Sequence, residues 1–422
     1  MLPFARVGGT LQCEGVPLDR IAEAVGTPAY VYSSASIRAQ YERLDAALAP
    51  VPHRIHYACK ANSSLGLLAL VRSLGGRIDV VSGGELFRAR QAGFPAEDII
   101  FGGVGKSAQE LREAIDAAVH VISVESEQEL RLVDELAREA GAVARVGIRV
   151  NPEITVETFH DYIKTGEKGG KFGVPFDEAH AVARIADALP HVRLVALGMH
   201  IGSQLTDLAA YRDGIARLEG LIDGVRRDGV TTLEHVDIGG GLFVPYDGES
   251  PADLAGYASI VVPAVQRLGL ELIVEPGRFL VAESGVLLAR VLYRKRSGGR
   301  DVLVTDTGMN DLLRPSHYDA YHRIEAVHAT TGRGRFDVVG PICESGDFLA
   351  LDRELASVDA GALLCVFTTG AYGISMASNY NARPRPCEVL VDGSRYGVIT
   401  VREAYDDLVR RESLTPDWRT SS

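Results

Sequence analysis

One lysine stands where a buried strand is expected to end. Lys60 follows the apolar run RIHYAC (54–59), and an ammonium group is costly to bury without a partner. In a desolvated pocket the pKa of a lysine is lowered, and its neutral amine can then form a Schiff base with an aldehyde. A lysine that reaches solvent from a strand end is, for this residue alone, an equally good interpretation.

A glycine run and a charged segment follow two later predicted strands. The run GGG (239–241) would let the backbone approach an anion closely, and we expect the amides of a following helix to bind phosphate. A plain tight turn is the alternative. Glu275 precedes a proline and stands three residues before Arg278. A carboxylate beside a pyridine nitrogen would keep that nitrogen protonated and so improve the ring as an electron sink; a surface Glu–Arg pair is the alternative.

Taken together, these residues indicate one cofactor. His200, in HIGS (200–203), could stack on a flat aromatic ring, although a lone histidine at a strand end is more often structural. Pyridoxal phosphate has three complementary requirements: an amine that binds its aldehyde, a backbone turn that binds its phosphate and a carboxylate that pairs with its ring nitrogen. The combination favours this cofactor more strongly than any single residue does.

Two segments further along the chain could bind substrate or donate a proton. Arg314 and Tyr318 are four residues apart, which makes them neighbours if their segment is helical. Arginine binds carboxylates through two parallel hydrogen bonds, with a structural salt bridge as the alternative. Cys343 could donate a proton, although buried cysteines are mostly inert packing. Tyr372 stands near the start of a polar, aromatic loop, and the glycine- and lysine-rich segment 160–173 is typical of a mobile loop.

The elements that must position these residues follow one rhythm from residue 30 to about residue 280. Short β-branched runs alternate with stretches of helical spacing, which predicts a parallel sheet, and eight such runs predict a closed (β/α)8 barrel. An open doubly wound sheet is the alternative, because periodicity alone cannot show closure. In a barrel, chemistry lies where strands end and the following loops begin. The predicted strands are 54–59, 77–81, 98–103, 120–125, 145–150, 193–201, 235–239 and 271–276.

A second domain is predicted from the remaining sequence. After residue 280 the strand-like runs are joined mostly by turns, which indicates a mainly β domain. The first residues also carry strand-like pieces that could pair with the C-terminal strands. We therefore assign 30–280 to a barrel that binds pyridoxal phosphate, and 1–29 with 281–422 to a β-rich domain.

The composition limits the possible classes of protein. The chain has 422 residues, of which 46% are hydrophobic and 24% charged, the mix of a soluble globular protein. Its net charge of −12 argues against a nucleic-acid or anionic-membrane partner. Five widely spaced cysteines suit free thiols in a reducing compartment, so we expect a cytoplasmic protein without a metal site. GGVGKS (102–107) looks like a phosphate-binding P-loop, but Ile100 occupies the position of its first glycine.

Seven motifs identify a family. YACKAN, SGGEL, HIGSQ, DIGGGL, EPGR, CESGDF and SNYNARPRP occur in this order between about residues 28 and 405, and they resemble the diaminopimelate decarboxylases. These are pyridoxal-phosphate enzymes built on an alanine-racemase-like barrel. The resemblance implies decarboxylation of meso-2,6-diaminopimelate to L-lysine and CO2, the last step of lysine biosynthesis by the diaminopimelate route. It also implies a homodimer in which the CESGD segment completes the active site of the other subunit.

The resemblance also gives each candidate residue a role. It implies that Lys60 binds the aldehyde of the cofactor and that Cys343 returns a proton to the substrate. The residues implied to bind the cofactor are Lys60, His200 (ring stacking), Ser203, Gly239, Gly240 and Gly241 (phosphate), Glu275 (pyridine nitrogen), Gly277, Arg278 and Tyr372. The residues implied to bind substrate are Arg278, Arg314, Tyr318, Glu344 (distal ammonium) and Tyr372.

Two alternatives are weighed against this interpretation. Decarboxylases of ornithine or arginine share the lysine, GGG and EPGR, but they typically carry aspartate at the position of Glu344. Here the glutamate and the pair Arg314 and Tyr318 are all present, which favours a substrate with an amino-acid group at each end. A non-catalytic regulatory relative would be expected to lack Lys60 or Cys343, and both are present.

Overall fold

The computed structural model describes residues 3–154, 166 and 169–419. Most of the predicted loop 160–173 therefore lies outside the described residues. Strands and helices alternate through the first two thirds of the chain. The strands are β1 (Phe4–Val7), β2 (Thr10–Cys13), β3 (Val16–Pro17), β4 (Ala29–Ser33), β5 (His53–Ala58), β6 (Arg77–Val80), β7 (Ile99–Phe101), β8 (Val121–Val124), β9 (Ala144–Asn151), β10 (Val174–Pro175), β11 (Val192–Met199), β12 (His235–Asp237), β13 (Glu271–Val274), β14 (Gly285–Ser297), β15 (Arg300–Thr305), β16 (Ile324–Ala326), β17 (Arg333–Val339), β18 (Phe348–Ala356), β19 (Leu363–Val366), β20 (Cys387–Asp392) and β21 (Arg395–Thr400).

The helices lie mainly between the strands of the first part of the chain. They are α1 (Leu18–Val25), α2 (Ser34–Leu48), α3 (Leu65–Ser73), α4 (Gly83–Gln91), α5 (Ala108–Asp116), α6 (Glu127–Glu139), α7 (Phe176–Ala188), α8 (Ala209–Arg227), α9 (Leu254–Leu268), α10 (Arg278–Val281), α11 (Arg314–Tyr318) and α12 (Tyr405–Val409). Among the described residues, no helix is both long and apolar enough to cross a membrane.

The described chain divides into two compact units. The first comprises Ser33–Gly285 together with the short segment Gly370–Ser375. Among the described residues, the second comprises 3–32, Val286–Thr369 and 376–419.

The first unit is a closed barrel of eight parallel strands. The strands follow one another in the order β9, β11, β12, β13, β5, β6, β7 and β8, and β8 also pairs with β9, which closes the ring. The short strand β10 adds to β9 outside this circle. The predicted (β/α)8 barrel is confirmed, and the closing pair excludes the open doubly wound sheet.

Serine side chains start several of the barrel helices at the end of the barrel where the strands finish. Ser82 accepts a hydrogen bond from the amide of Glu85 at the start of α4, and Ser126 does the same for α6. At α5, Ser107 and Glu110 form a reciprocal capping box. Each such cap stabilises a helix by about 1 kcal/mol. The loops that carry the polar residues are therefore held at both ends by regular structure.

The segment Gly370–Ser375 returns to the loop after β5. The amide of Tyr372 donates to the carbonyl of Ala61 over 2.8 Å, and Ser375 Oγ donates to the same carbonyl over 3.2 Å. Asn62 Nδ2 donates to the carbonyl of Gly370 over 3.2 Å. Although it lies far along the chain, this segment is tied to the residues that flank Lys60.

The second unit is mainly β, as predicted. Its largest sheet has the strand order β18, β17, β15, β14, β4, β20 and β21, while β19 pairs with both β14 and β16. The N-terminal strands β1, β2 and β3 form a small antiparallel sheet. This sheet is tied to residues 327–329, because Leu11 donates to the carbonyl of Val327 and Ala329 to that of Gly9. The N-terminal residues therefore do pair with the C-terminal part of the chain.

Three buried histidines lie together within the barrel unit. His56 belongs to β5, His120 immediately precedes β8, and His235 begins β12. Nε2 of His120 lies 3.1 Å from Nε2 of His235, so one nitrogen donates and the other accepts. The rings of His56 and His120 stack at 6.3 Å between centroids. Among the described residues, Nε2 of His56 has no hydrogen-bond partner.

Burial keeps these three rings neutral. It lowers the pKa of His56 well below 6.5, with His120 and nearby arginines adding to the effect. Burial, followed by Arg54 and His235, lowers the pKa of His120 to about 3. Burial likewise lowers the pKa of His235, although Glu271 opposes it. A neutral ring in the folded state takes up a proton on unfolding when the pH is below 6.5.

The variant His56→Gln tests this linkage. Because His56 binds a proton only in the unfolded chain, it weakens folding progressively as the pH falls below 6.5. Between pH 7 and pH 5 we expect the free energy of unfolding to fall by about 2 kcal/mol less in the variant than in the wild type. Urea denaturation of both proteins at several pH values measures this difference. The variant is compared with the wild type because other buried groups titrate in the same pH range in both proteins. His328→Gln, at an exposed histidine, is the control, and equal slopes for His56→Gln and the wild type would contradict the prediction.

Candidate active site

Lys60 lies just beyond the end of β5, in a single 3₁₀ turn formed by Cys59–Ala61. The predicted strand thus ends earlier than expected, at Ala58, and the turn carries the lysine. Nζ of Lys60 lies 3.6 Å from Oδ2 of Asp79, which belongs to the neighbouring strand β6. The lysine side chain is 41% exposed and the aspartate side chain 3%. The amine is therefore accessible, while its carboxylate partner is not.

The charge on Lys60 differs from the expectation. Burial lowers its pKa, but electrostatic interactions, with Asp79 first and then with Tyr372 and Glu275, outweigh burial and raise the pKa above its ordinary value. The expectation of a lowered pKa is wrong for the chain by itself, because the pocket that desolvates the amine also supplies carboxylates. Burial raises the pKa of Asp79 to about 7, with Glu275 adding to the effect. Asp79 therefore lies where it can both hold the ammonium group and take up a proton.

Glu275 follows β13 and is hydrogen-bonded to Asp237, the last residue of β12. Burial and the negative charge of Asp237 raise the pKa of Glu275 to about 8. Burial also raises the pKa of Asp237 to about 7. Two neighbouring carboxyl groups therefore lie on the same side of the barrel as Lys60.

The glycine run forms a tight turn between two neighbouring strand ends. Gly239 and Gly241 have positive φ angles of 67° and 106°. A side chain at Gly239 would lie 2.6 Å from Nδ1 of His200, and one at Gly240 would collide with the carbonyl of Glu275. The turn can therefore be built only from residues without a Cβ atom.

The turn does not lead into a helix, so the expected binding of phosphate by the amides of a following helix is wrong. An irregular segment follows instead, and α9 begins only at Leu254. The amide of Gly240 donates to Nδ1 of His200 over 3.1 Å. Burial, with the charges of Arg149 and Lys60, lowers the pKa of His200 well below 6.5. His200 is thus a neutral ring held in place by the glycine turn.

Arg278 connects three residues at the same rim. Its Nε donates to Oγ of Ser203 over 3.3 Å, and its Nη1 donates to Oη of Tyr246 over 3.0 Å. The guanidinium group lies 4.8 Å from the centre of the Tyr372 ring. Gly277 immediately precedes the short helix α10, which carries Arg278. A side chain at Gly277 would lie 3.1 Å from Cβ of Ala58, the last residue of β5, and from Cβ of Ala61 in the turn that follows.

A further arginine balances the negative charges of the rim. Arg149, on β9, forms a salt bridge of 3.0 Å with Glu125, whose other oxygen accepts the amide of Gly173. The positive charge of Arg149 lowers the pKa values of both Asp237 and Glu275, opposing their burial.

Four predicted site residues lie in the second unit, in two local clusters. Arg314 and Tyr318 begin and end the short helix α11, so the condition under which their spacing makes them neighbours is met. Nη1 of Arg314 lies 3.1 Å from Nε2 of His322. Cys343 and Glu344 are exposed, and the amide of Cys343 donates to Oδ1 of Asn381 over 2.8 Å.

The exposed Cys343 segment is held by a buried aspartate. Asp347 is 4% exposed and accepts hydrogen bonds from the amides of Met309 and Ile342, each over 2.6 Å. Glu344 is hydrogen-bonded to Tyr380, and its charge raises the pKa of that tyrosine. The thiol and the carboxylate thus project from a loop that is firmly attached.

Comparison with known proteins agrees with this geometry. Residues 34–282 match the family model described as the pyridoxal binding domain of pyridoxal-dependent decarboxylases. The sequence is 46% identical to a diaminopimelate decarboxylase of Pseudomonas aeruginosa, over 98% of this chain and 99% of that protein. The chain belongs to the diaminopimelate decarboxylase family. It is a pyridoxal-phosphate-dependent decarboxylase.

Solved structures of this family have the same fold. A diaminopimelate decarboxylase from Helicobacter pylori complexed with L-lysine is 38% identical, with a TM-score of 0.90 over 94% of this chain and 99% of that one. One from M. jannaschii, in co-complex with L-lysine, is 35% identical with a TM-score of 0.93 over 99% of both chains. A lysine/ornithine decarboxylase from Vibrio vulnificus, 22% identical with a TM-score of 0.79 over 89% of this chain and 97% of that one, shares the fold.

The residues at the barrel rim of this family member fit pyridoxal phosphate. Lys60 is an accessible amine for the aldehyde, and Glu275 is a carboxyl group with a raised pKa that suits a ring nitrogen. The glycine turn leaves no room for side chains beside His200, and Arg278 next to Ser203 provides a cation for a phosphate.

Sequence reasoning assigned no role to three groups of the site. Asp237 stands two residues before Gly239, and its position within a known motif was the available signal. Arg149 is a charged residue in a strand that is mostly apolar in sequence, which was a weaker signal. Tyr246 carried no signal, because its contact with Arg278 depends on how a loop after β12 folds back.

The variant Lys60→Ala tests the predicted attachment of the cofactor. Without the amine no covalent bond to the aldehyde can form, so the visible absorption band of the protein-bound cofactor should be lost. An absorption spectrum of the purified variant with added pyridoxal phosphate measures this. Lys295→Ala, at an exposed lysine of the second unit, is the matched control and should keep the band. A band in Lys60→Ala identical to that of the wild type would remove Lys60 from this role.

Proposed function

We propose that this chain decarboxylates meso-2,6-diaminopimelate to L-lysine and CO2, the last step of lysine biosynthesis by the diaminopimelate route. The supporting observation is that one rim of the barrel carries an accessible lysine, a carboxyl group suited to a ring nitrogen and a glycine turn. The relatives that match this chain along nearly its full length are diaminopimelate decarboxylases.

Each residue of the rim has a distinct part in the proposed mechanism. When bound, pyridoxal phosphate supplies the electron sink for the carbon that loses CO2. Lys60 would supply the amine that binds the aldehyde, and Asp79 lies 3.6 Å from that amine and holds its ammonium form. His200, a neutral ring, would pack on the flat face of the cofactor. The carboxyl group of Glu275 would face the ring nitrogen, and the barrel thus supplies placement and electrostatics.

The phosphate and the substrate carboxylates require cations and amides. Ser203 and the turn of Gly239, Gly240 and Gly241 bind the phosphate, with Arg278 nearby. Gly277 allows the helix with Arg278 to start close to the loop of Lys60. The proposed substrate-binding residues are Arg278, Arg314, Tyr318, Glu344 and Tyr372.

Recognition of a second amino-acid group separates this substrate from ornithine and arginine. The distal end of diaminopimelate carries both an ammonium and a carboxylate, so it needs an anion and a cation in the site. Glu344 supplies the anion, while Arg314 and Tyr318, at the two ends of α11, supply the carboxylate ligands. A substrate that lacks the distal carboxylate leaves the arginine without its partner.

Cys343 is the proposed proton donor, and we propose that it acts in the active site of a second subunit. The thiol and the carboxylate of Glu344 are exposed in the single chain, yet Asp347 holds their loop in place. An ordered loop that presents two reactive groups outward suits a homodimer with shared sites. All five cysteines are free thiols, which agrees with the proposed cytoplasmic location.

Substrate preference is the direct test of the function. Purified protein with pyridoxal phosphate should release CO2 from meso-diaminopimelate, with L-lysine in the product. We expect kcat/KM to be at least about 100-fold lower for ornithine and arginine, because the arginine of the distal site then lacks a carboxylate. A faster reaction with ornithine or arginine would contradict the proposed substrate. The variant Arg314→Lys should reduce this preference by raising KM for diaminopimelate.

Mixing two inactive variants tests the shared site. Lys60→Ala and Cys343→Ala should each be nearly inactive, but one site of their mixed dimer carries both wild-type residues. After subunits are exchanged at equal concentrations, we expect about a quarter of the wild-type activity, because half of the dimers have one intact site of two. Recovery near zero, with subunit exchange verified by mass spectrometry, would place Cys343 in the site of its own chain.

A further inference from the structure

Asp237 is a carboxylate that points into the barrel. It lines a small interior cavity whose other walls are largely apolar, formed among others by Ile100, Val121, Ile148 and Ile273. A carboxylate in such surroundings is costly unless it is hydrogen-bonded. Its position therefore requires an explanation in terms of its partners.

The neighbouring strand makes room for this side chain. Gly198 on β11 pairs with Asp237 on β12, and a side chain at Gly198 would lie 2.7 Å from Cβ of the aspartate. Any residue other than glycine would therefore displace the carboxyl group.

Two hydrogen bonds fix the carboxyl group of Asp237. Its Oδ1 accepts the amide of Gly239, the first residue of the glycine turn, over 2.8 Å. The carboxyl group of Glu275 donates to it, because this bond raises the pKa of Glu275 and lowers that of Asp237. The amide of Glu275 in turn donates to the carbonyl of Gly239 over 2.8 Å. Asp237 thus connects the phosphate turn with the residue that faces the ring nitrogen.

We propose that Asp237 is a positioning residue, which orients Glu275 and the glycine turn together and shares one proton with Glu275. The proposal rests on the proposed function in that Glu275 faces the ring nitrogen of pyridoxal phosphate. Two hydrogen-bonded carboxyl groups cannot both ionise without strong repulsion, so one proton stays between them.

The shared proton gives Asp237 an electrostatic effect at the ring nitrogen. Burial is the first cause of the raised pKa of Glu275, and the charge and hydrogen bond of Asp237 raise it further. If a bound ring nitrogen took up the shared proton, both carboxylates would be negative, and the positive charge on the ring would offset their repulsion. Without Asp237 only one negative charge faces the ring, and protonation of the nitrogen is less favourable.

The test compares the affinity for pyridoxal phosphate of the full-length wild type and of Asp237→Asn between pH 6 and pH 9. Asparagine has nearly the same shape and can still accept the amide of Gly239, but it carries no charge. In the wild type we expect an inflection in the dissociation constant near pH 8, where Glu275 titrates. In the variant the inflection should move down by about one pH unit or more, because the charge that raised the pKa of Glu275 is gone.

A second variant and a control make the result decisive. Asp237→Ser, smaller and also uncharged, should give the same shift, and it replaces the asparagine variant if that one fails to fold. Asp98→Asn removes a carboxylate that forms a 2.7 Å salt bridge with Arg77 at the start of β6, and its profile should match the wild type. An unmoved inflection in both Asp237 variants would show that the residue is only structural. The measurement needs no substrate, so its result can be interpreted even if the protein does not catalyse the proposed decarboxylation.

Discussion

The structure depends on a balance of charges at one rim of the barrel. Lys60 and Arg149 are surrounded by the carboxyl groups of Asp79, Asp237 and Glu275, and each of these groups shifts the pKa of others. None would be stable alone in a desolvated pocket, because an isolated buried charge costs several kcal/mol. Opposite charges and hydrogen bonds together allow five ionisable groups to occupy one small region. A cofactor that brings an aldehyde, a ring nitrogen and a phosphate would engage the same groups.

Glycines make this crowding possible at the strand ends. Gly239 and Gly241 adopt positive φ angles, and Gly198 leaves the space that the side chain of Asp237 occupies. Each of these glycines brings backbone or carboxyl groups closer than a Cβ atom would permit. The close packing of polar groups at the rim therefore depends on the absence of side chains at these glycines as much as on the polar residues themselves.

The barrel and the mainly β second unit could be predicted from the sequence, because strand and helix periodicities are local properties. The closing pair of β8 with β9 could not, since closure depends on the arrangement of all eight strands. The raised pKa of Lys60 was missed for a similar reason: the neighbouring strand β6 supplies Asp79, and no local pattern shows that the two side chains meet. By contrast, the family motifs identified most of the rim residues. The role of each of these residues is still a prediction.

The segment Gly370–Ser375 has a consequence for biosynthesis of the chain. All eight barrel strands precede residue 275, yet the carbonyl of Ala61, next to Lys60, is bonded by residues that emerge from the ribosome about a hundred residues later. A nascent chain can therefore complete its ring of strands while the loop of the reactive lysine still lacks this support. The pocket for a reactive aldehyde is finished only after residues 370–375 have been made.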